Sequence, residues 1–156
     1  MSQRPLTLAE RNAARMVFGS SLDLAKIVVK ESSAMTVPDG KYFRTWSNTV
    51  YVPPGWLDKI DTWTVIHELT HCWQYKRGIG FQVIVGAIRG EYPYGEEKGL
   101  KDALKAGKRF TDFNTEQQGD ILADYYERRV SGKNVDAWQP FVHEVQQAKS
   151  EDPYPW

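Results

Sequence analysis

The chain has 156 residues, with 20 basic and 20 acidic side chains and a formal net charge of zero. That length suits one domain around one core, and the even balance excludes the basic excess by which nucleic-acid binders hold phosphate. A single cysteine, Cys72, excludes an intramolecular disulfide and a cysteine-rich zinc finger.

The hydrophobic fraction of 41% against 26% charged residues marks a globular chain. The most apolar stretch, 81–88, is far too short to cross a bilayer, so no membrane insertion is expected. Met1-Ser2-Gln3-Arg4-Pro5 lacks the apolar run of a secretory signal. The expectation is one domain over 1–156, cytoplasmic as synthesised, with any export left to a signal-independent secretion system.

Thr7-Leu8-Ala9-Glu10 reads as a capping box, and a helix over 8–18 follows, stopped by Gly19. Ile27-Val28-Val29, Tyr42 to Trp46 and Thr49 to Val52 are short, β-branched or aromatic strand candidates. Pro38-Asp39-Gly40 and Ser47-Asn48 supply turns between them, which suggests a small antiparallel sheet. Pro53-Pro54-Gly55 ends the sheet. Asp58 or Asp61 caps the next helix, which runs to Arg77 and closes at Gly78. Residues 81–88 fit a strand or a buried helical turn, and Tyr92-Pro93-Tyr94-Gly95 is a turn or loop. A short helix over 96–106 ends at Gly107, and 108–113 reads as extended. Asn114 or Thr115 caps a helix over 116–130 that ends near Gly132. A last helix covers 140–149, and the tail 151–156 reads as loose.

His67-Glu68-Leu69-Thr70-His71 is the segment that carries chemistry. Histidines four apart lie on one helix face, one turn from each other, so both rings can reach a single metal ion. Glu68 stands roughly 100° round the helix from His67, within reach of a water at that metal. Two neutral nitrogen donors beside a general base are what a zinc hydrolase requires. The flanking Trp63, Val65, Ile66, Leu69, Cys72, Trp73 and Tyr75 make the helix apolar on most sides, hence buried. Cys72 points away from the histidine face and reads as core.

A catalytic zinc site needs a third protein ligand. The metzincin extension requires a glycine at position 74 and a histidine at position 77. Gln74 and Arg77 exclude it. His143 is the one other histidine and reads as a surface residue. Glu116, Asp120, Asp124 and Glu127 share one face of their helix. They form either a solvated acidic stripe, or a site in which Glu116 binds zinc and Asp120 accepts the far N–H of a ligand histidine. Peptide hydrolysis also needs a donor for the tetrahedral intermediate. Tyr92, Tyr94, Tyr125, Tyr126 and Arg109 are candidates, and Tyr126 is singled out as a catalytic residue.

The His67–His71 motif, followed about 45 residues on by Glu116-Gln117-Gln118-Gly119-Asp120, resembles the gluzincin branch of zinc metallopeptidases. The resemblance implies Glu116 as third ligand and Asp120 as the carboxylate behind it. Arg4-Pro5-Leu6-Thr7 with Glu10, Val17-Phe18-Gly19, Leu22-Asp23, Trp73-Gln74 and Asp124-Tyr125-Tyr126 extend the likeness over most of the chain. They are similar to small bacterial zincin-like domains that accompany contractile injection systems and type VI secretion spikes, Vgr-related proteins among them. This implies an α+β fold, a minimal zincin with its small antiparallel sheet packed on the metal helix. It also implies a Zn2+ cofactor, a peptide or protein substrate, and membership of a secretion apparatus. In such folds the edge strand before the metal helix, here Thr49 to Val52, lines the cleft and pairs with extended substrate. The alternative is a non-hydrolytic zincin-like module that serves structure or loading on the apparatus.

Overall fold

The computed structural model describes residues 2–35, 44–80, 82–83 and 93–149. The turn expected at 38–40, the first half of the strand expected at 42–46, most of 81–88, Tyr92 and the tail fall outside these residues.

Strand β1 (Gln3–Pro5) leads into helix α1 (Leu8–Phe18) through the expected capping box. Glu10 N donates to Thr7 Oγ1 at 3.1 Å, and Thr7 N donates to Glu10 Oε1 at 2.9 Å. Glu10 is buried because Arg4 pairs with both of its oxygens while also donating to Leu57 O. One ion pair thus ties β1, α1 and the loop around Leu57.

Strands β2 (Val28–Glu31), β3 (Arg44–Trp46) and β4 (Thr49–Val52) complete a sheet of order β1-β2-β4-β3. β1–β2 and β3–β4 are antiparallel, but β2 and β4 run parallel, with Val29 opposite Val50. The sheet is therefore mixed, not antiparallel throughout. The hairpin turn at Ser47-Asn48 seats β4 between β2 and β3, which sets β4 alongside β2 in the same direction. Ser47 takes a φ of 55°, as a tight two-residue hairpin demands. β3 is an edge strand and Thr49–Val52 an interior one. The edge strand beside α2 is thus Arg44–Trp46, not the expected Thr49–Val52.

Val29, Val50 and Val52 turn one face of the sheet into the core. On it lies α2 (Thr62–Lys76), packed against β3, β4 and α1. Every residue of α2 from Val65 to Gln74 is buried. Helices α3 (Glu96–Lys105), α4 (Thr115–Val130) and α5 (Gln139–Gln147) close the other side. Trp73, Phe110, Tyr125, Trp138 and Phe141 fill the space between them. The fold is α+β. Residues 110–112 form a 3-10 turn rather than the expected extended segment. Asp112 captures Arg109 N at 2.7 Å and Glu144 captures Phe110 N at 2.8 Å, so these amides are spent before a strand could use them. No helix among the described residues is long and apolar enough to cross a membrane.

Candidate metal centre

Asp61 starts α2 by accepting Thr64 N at 2.7 Å. Two turns on, His67 and His71 meet edge to face, ring centroids 4.9 Å apart. Donor atoms of His67, Glu68 and His71 lie within 4.8 Å of one another, all on buried residues.

The third donor arrives from α4. Asn114 caps that helix by accepting Gln117 N at 2.8 Å, which sets Glu116 in the first turn. Glu116 Oε1 is 3.7 Å from His67 Nε2, and Oε2 is 2.7 Å from His71 Nε2. Ligand atoms around a tetrahedral zinc stand about 3.3 Å apart, and the two distances bracket that value. Oε2 is buried and makes no aligned hydrogen bond among the described residues. It lies 2.7 Å from His71 Nε2, close enough for a proton or a cation to be shared between the two atoms. Two nitrogens and a carboxylate fit a zinc-sized cation.

Gly119 makes this approach possible. A Cβ there would lie 2.7 Å from His67 Nδ1 and 2.8 Å from Cε1, a clash with a packed ring. One residue on, Asp120 Oδ1 lies 3.0 Å from His67 Nδ1. A carboxylate accepts, so Nδ1 carries a hydrogen and Nε2 is left as the ring atom that faces Glu116.

The charges follow from this geometry. Burial works against a charged His67, but Asp120, Glu116 and Glu68 outweigh it and hold the ring well above its usual range. Burial and the neighbouring His67 oppose charge on His71, yet Glu116 and Glu68 raise it too. Burial pushes the Glu116 carboxyl up, and both rings more than reverse this, leaving it far below the usual carboxylate range. Protons and a cation would compete for the same lone pairs.

Four further residues build the site in roles that the sequence did not assign to them. Thr45 of β3 donates its hydroxyl to Glu68 Oε2 at 2.7 Å and so fixes the carboxylate against the edge strand. Trp63, one turn before His67, stacks on it at 5.5 Å and donates Nε1 to Asp124 at 2.8 Å. Tyr94 donates to the other Asp124 oxygen at 2.5 Å. Gln74 Oε1 lies 2.8 Å from His71 Nδ1. The i, i+4 spacing of Trp63 and the i, i+3 spacing of Gln74 were visible signals. Thr45 carried none.

Other candidates stand apart. Tyr126 sits ten residues beyond Glu116, about 15 Å of helix rise, half-buried against the core. No hydrogen bond among the described residues joins it to the histidines or Glu68. The Tyr125 hydroxyl accepts from Arg129, Arg109 pairs with Glu144, and His143 and Glu127 are exposed. The acidic face of α4 is therefore divided: Glu116 and Asp120 meet the histidines, Asp124 braces Trp63, and Glu127 faces solvent. Cys72 is fully buried, and burial raises its thiol far above the usual range, which suits a core residue.

No protein-family model matches the chain. It is similar in sequence to the type VI secretion system spike protein VgrG2b of Pseudomonas aeruginosa, 28% identical over 134 residues. The match takes in 79% of this chain but spans 13% of that protein. The solved effector domain of Pseudomonas aeruginosa VgrG2b is similar in fold, with a TM-score of 0.62 and 27% identity. That match covers 90% of this chain and 82% of the domain.

Proposed function

We propose that the chain is a zinc-dependent peptidase of the gluzincin type, with zinc held by His67, His71 and Glu116. The observation that carries this reading is the convergence of Glu116, from another helix, on both histidine Nε2 atoms at 2.7 and 3.7 Å. Asp120 holds His67 by its far N–H, and Gln74 does the same for His71. Bound zinc would supply Lewis acidity and lower the pKa of a water toward about 7. Glu68, steadied by the Thr45 hydroxyl, takes the proton of the attacking water and delivers it to the leaving amine. The edge strand β3 offers backbone groups beside Glu68 to an extended peptide. Tyr126 has no role in this mechanism.

The likeness to a domain of a spike protein supports a second part of the proposal. The chain works with a bacterial type VI secretion system, as a component or a delivered module, on a peptide or protein substrate.

Elemental analysis of freshly purified protein tests the metal. About one zinc per chain is expected, lost or greatly weakened in Glu116→Ala. Turnover of an unstructured protein such as casein, abolished by a chelator, tests the chemistry. Glu68→Gln is expected to keep zinc and lose roughly 10²–10⁴-fold in rate. A Glu68→Gln protein with zinc and full activity would overturn the role given to Glu68. Zinc binding without turnover in the wild type would favour the non-hydrolytic module.

A further inference from the structure

Gln74 and Gln118 are both fully buried and lie outside the donor set. Gln74 Nε2 is 2.9 Å from Thr115 O and 2.9 Å from Gln118 Oε1. Gln118 Nε2 is in turn 2.9 Å from Phe113 O and 3.4 Å from Phe110 O. A backbone carbonyl can only accept a hydrogen bond. The carbonyls of Phe110 and Phe113 therefore decide which end of the Gln118 side chain is the NH2. The Gln118 oxygen and Thr115 O decide the same for Gln74. Gln74 is left with its carbonyl oxygen facing His71 Nδ1 at 2.8 Å, and a ring nitrogen facing a carbonyl carries hydrogen. The polarity of the His71 ring is thus dictated by main-chain carbonyls, through two neutral amides.

We infer that Gln118 and Gln74 form a positioning relay. It holds hydrogen on His71 Nδ1, keeps Nε2 open to a metal ion, and locks the first turn of α4 to the ring so that Glu116 arrives with it. This rests on the zinc reading above. Neither glutamine is a ligand. Gln118 reaches the ring through Gln74, and Gln74 bonds at once to His71 and to Thr115, the neighbour of Glu116. Two buried amides cost stability unless their polar atoms are paired, and here both oxygens and both NH2 groups have partners.

The test is Gln118→Met, which removes the far amide without touching ring, ligand or metal. Gln74→Met is the second variant should the first fail to fold. Zinc affinity is read by competition with a chromophoric chelator, and the His71 Nδ1 proton by NMR of the metal-free protein. Val142→Ala on α5, away from the site, serves as a control for loss of core packing. The expected result is a folded variant with roughly 10–100-fold weaker zinc binding and a His71 ring proton lost to solvent exchange. A folded variant with affinity within about twofold of wild type, or with the ring proton unchanged, overturns the relay. So does an equal loss of affinity in the control. Failure of the wild type to bind zinc would overturn the zinc reading instead, and the ring proton alone would then decide the relay.

Discussion

His67 and His71 sit one turn apart on the same helix, yet they are held by different means. His67 faces a carboxylate at 3.0 Å, and Trp63 covers its ring. The Asp120 side chain keeps 20% of its surface exposed. His71 faces a neutral amide at 2.8 Å, and neither that amide nor the one behind it touches solvent. A charged partner orients a ring and also raises its basicity, whereas an amide orients it and little more. The His67 side is therefore open to electrostatic tuning, and the His71 side is governed by packing.

The strongest way to break the His67 side is steric. Gly119→Ala brings a Cβ to 2.7 Å from His67 Nδ1. Alanine favours a helix over glycine by about 1 kcal/mol, but overpacking a close contact costs about 1–3 kcal/mol, so the clash decides the sign. The expected outcome is a thermal midpoint no higher than wild type and zinc binding weakened by at least the roughly 10–100-fold that loss of an outer partner causes. Calorimetry and chelator competition check both, and a more stable variant with normal zinc affinity would refute the close approach.

A milder change sharpens the contrast of charge. Asp120→Asn keeps an acceptor for His67 Nδ1 and removes the negative charge. Zinc affinity should fall by about tenfold, the low end of the range for an outer partner. It should also become less sensitive to added salt, because Asp120 is the partly exposed charge of the pair. Titration at low and high ionic strength measures both effects.

The smallest effect concerns the brace behind Trp63. Tyr94 donates to Asp124 and accepts from Trp138 Nε1. Burial, with Asp124 adding to it, raises the Tyr94 hydroxyl far above its usual range. A raised folded pKa means that its contribution is complete below the unfolded value near pH 10 and fades as pH climbs toward the folded one. Tyr94→Phe should cost about 1–2 kcal/mol at neutral pH. It should also flatten the fall in stability above pH 10, as read by denaturant titration across that range. An unchanged alkaline profile would detach this hydroxyl from the brace.

The local features of the fold were readable along the chain. The capping box at Thr7, the caps at Asp61 and Asn114 and the stops at Gly78, Gly107 and Gly132 fall where residue chemistry led to them. The elements that differ depend on distant partners. β1 pairs only because Arg4 meets Val29, and β2 lies parallel to β4 because the β3–β4 hairpin inserts with β4 inward. The turn at 110–112 depends on Glu144, more than 30 residues away.

The same division runs through the site. Histidines at positions i and i+4, with an acid beside the first, share one side of a helix by virtue of the helical period alone. His67, Glu68 and His71 were therefore determined by sequence. That Glu116 rather than Asp124 or Glu127 meets them was decided by how α4 crosses α2, which in turn requires the bare backbone of Gly119. Thr45 and Gln118 acquire their roles only when segments 23 to 44 residues apart come together. Periodicity is a property of neighbours along the chain, while the direction of a hydrogen bond is a property of neighbours in space.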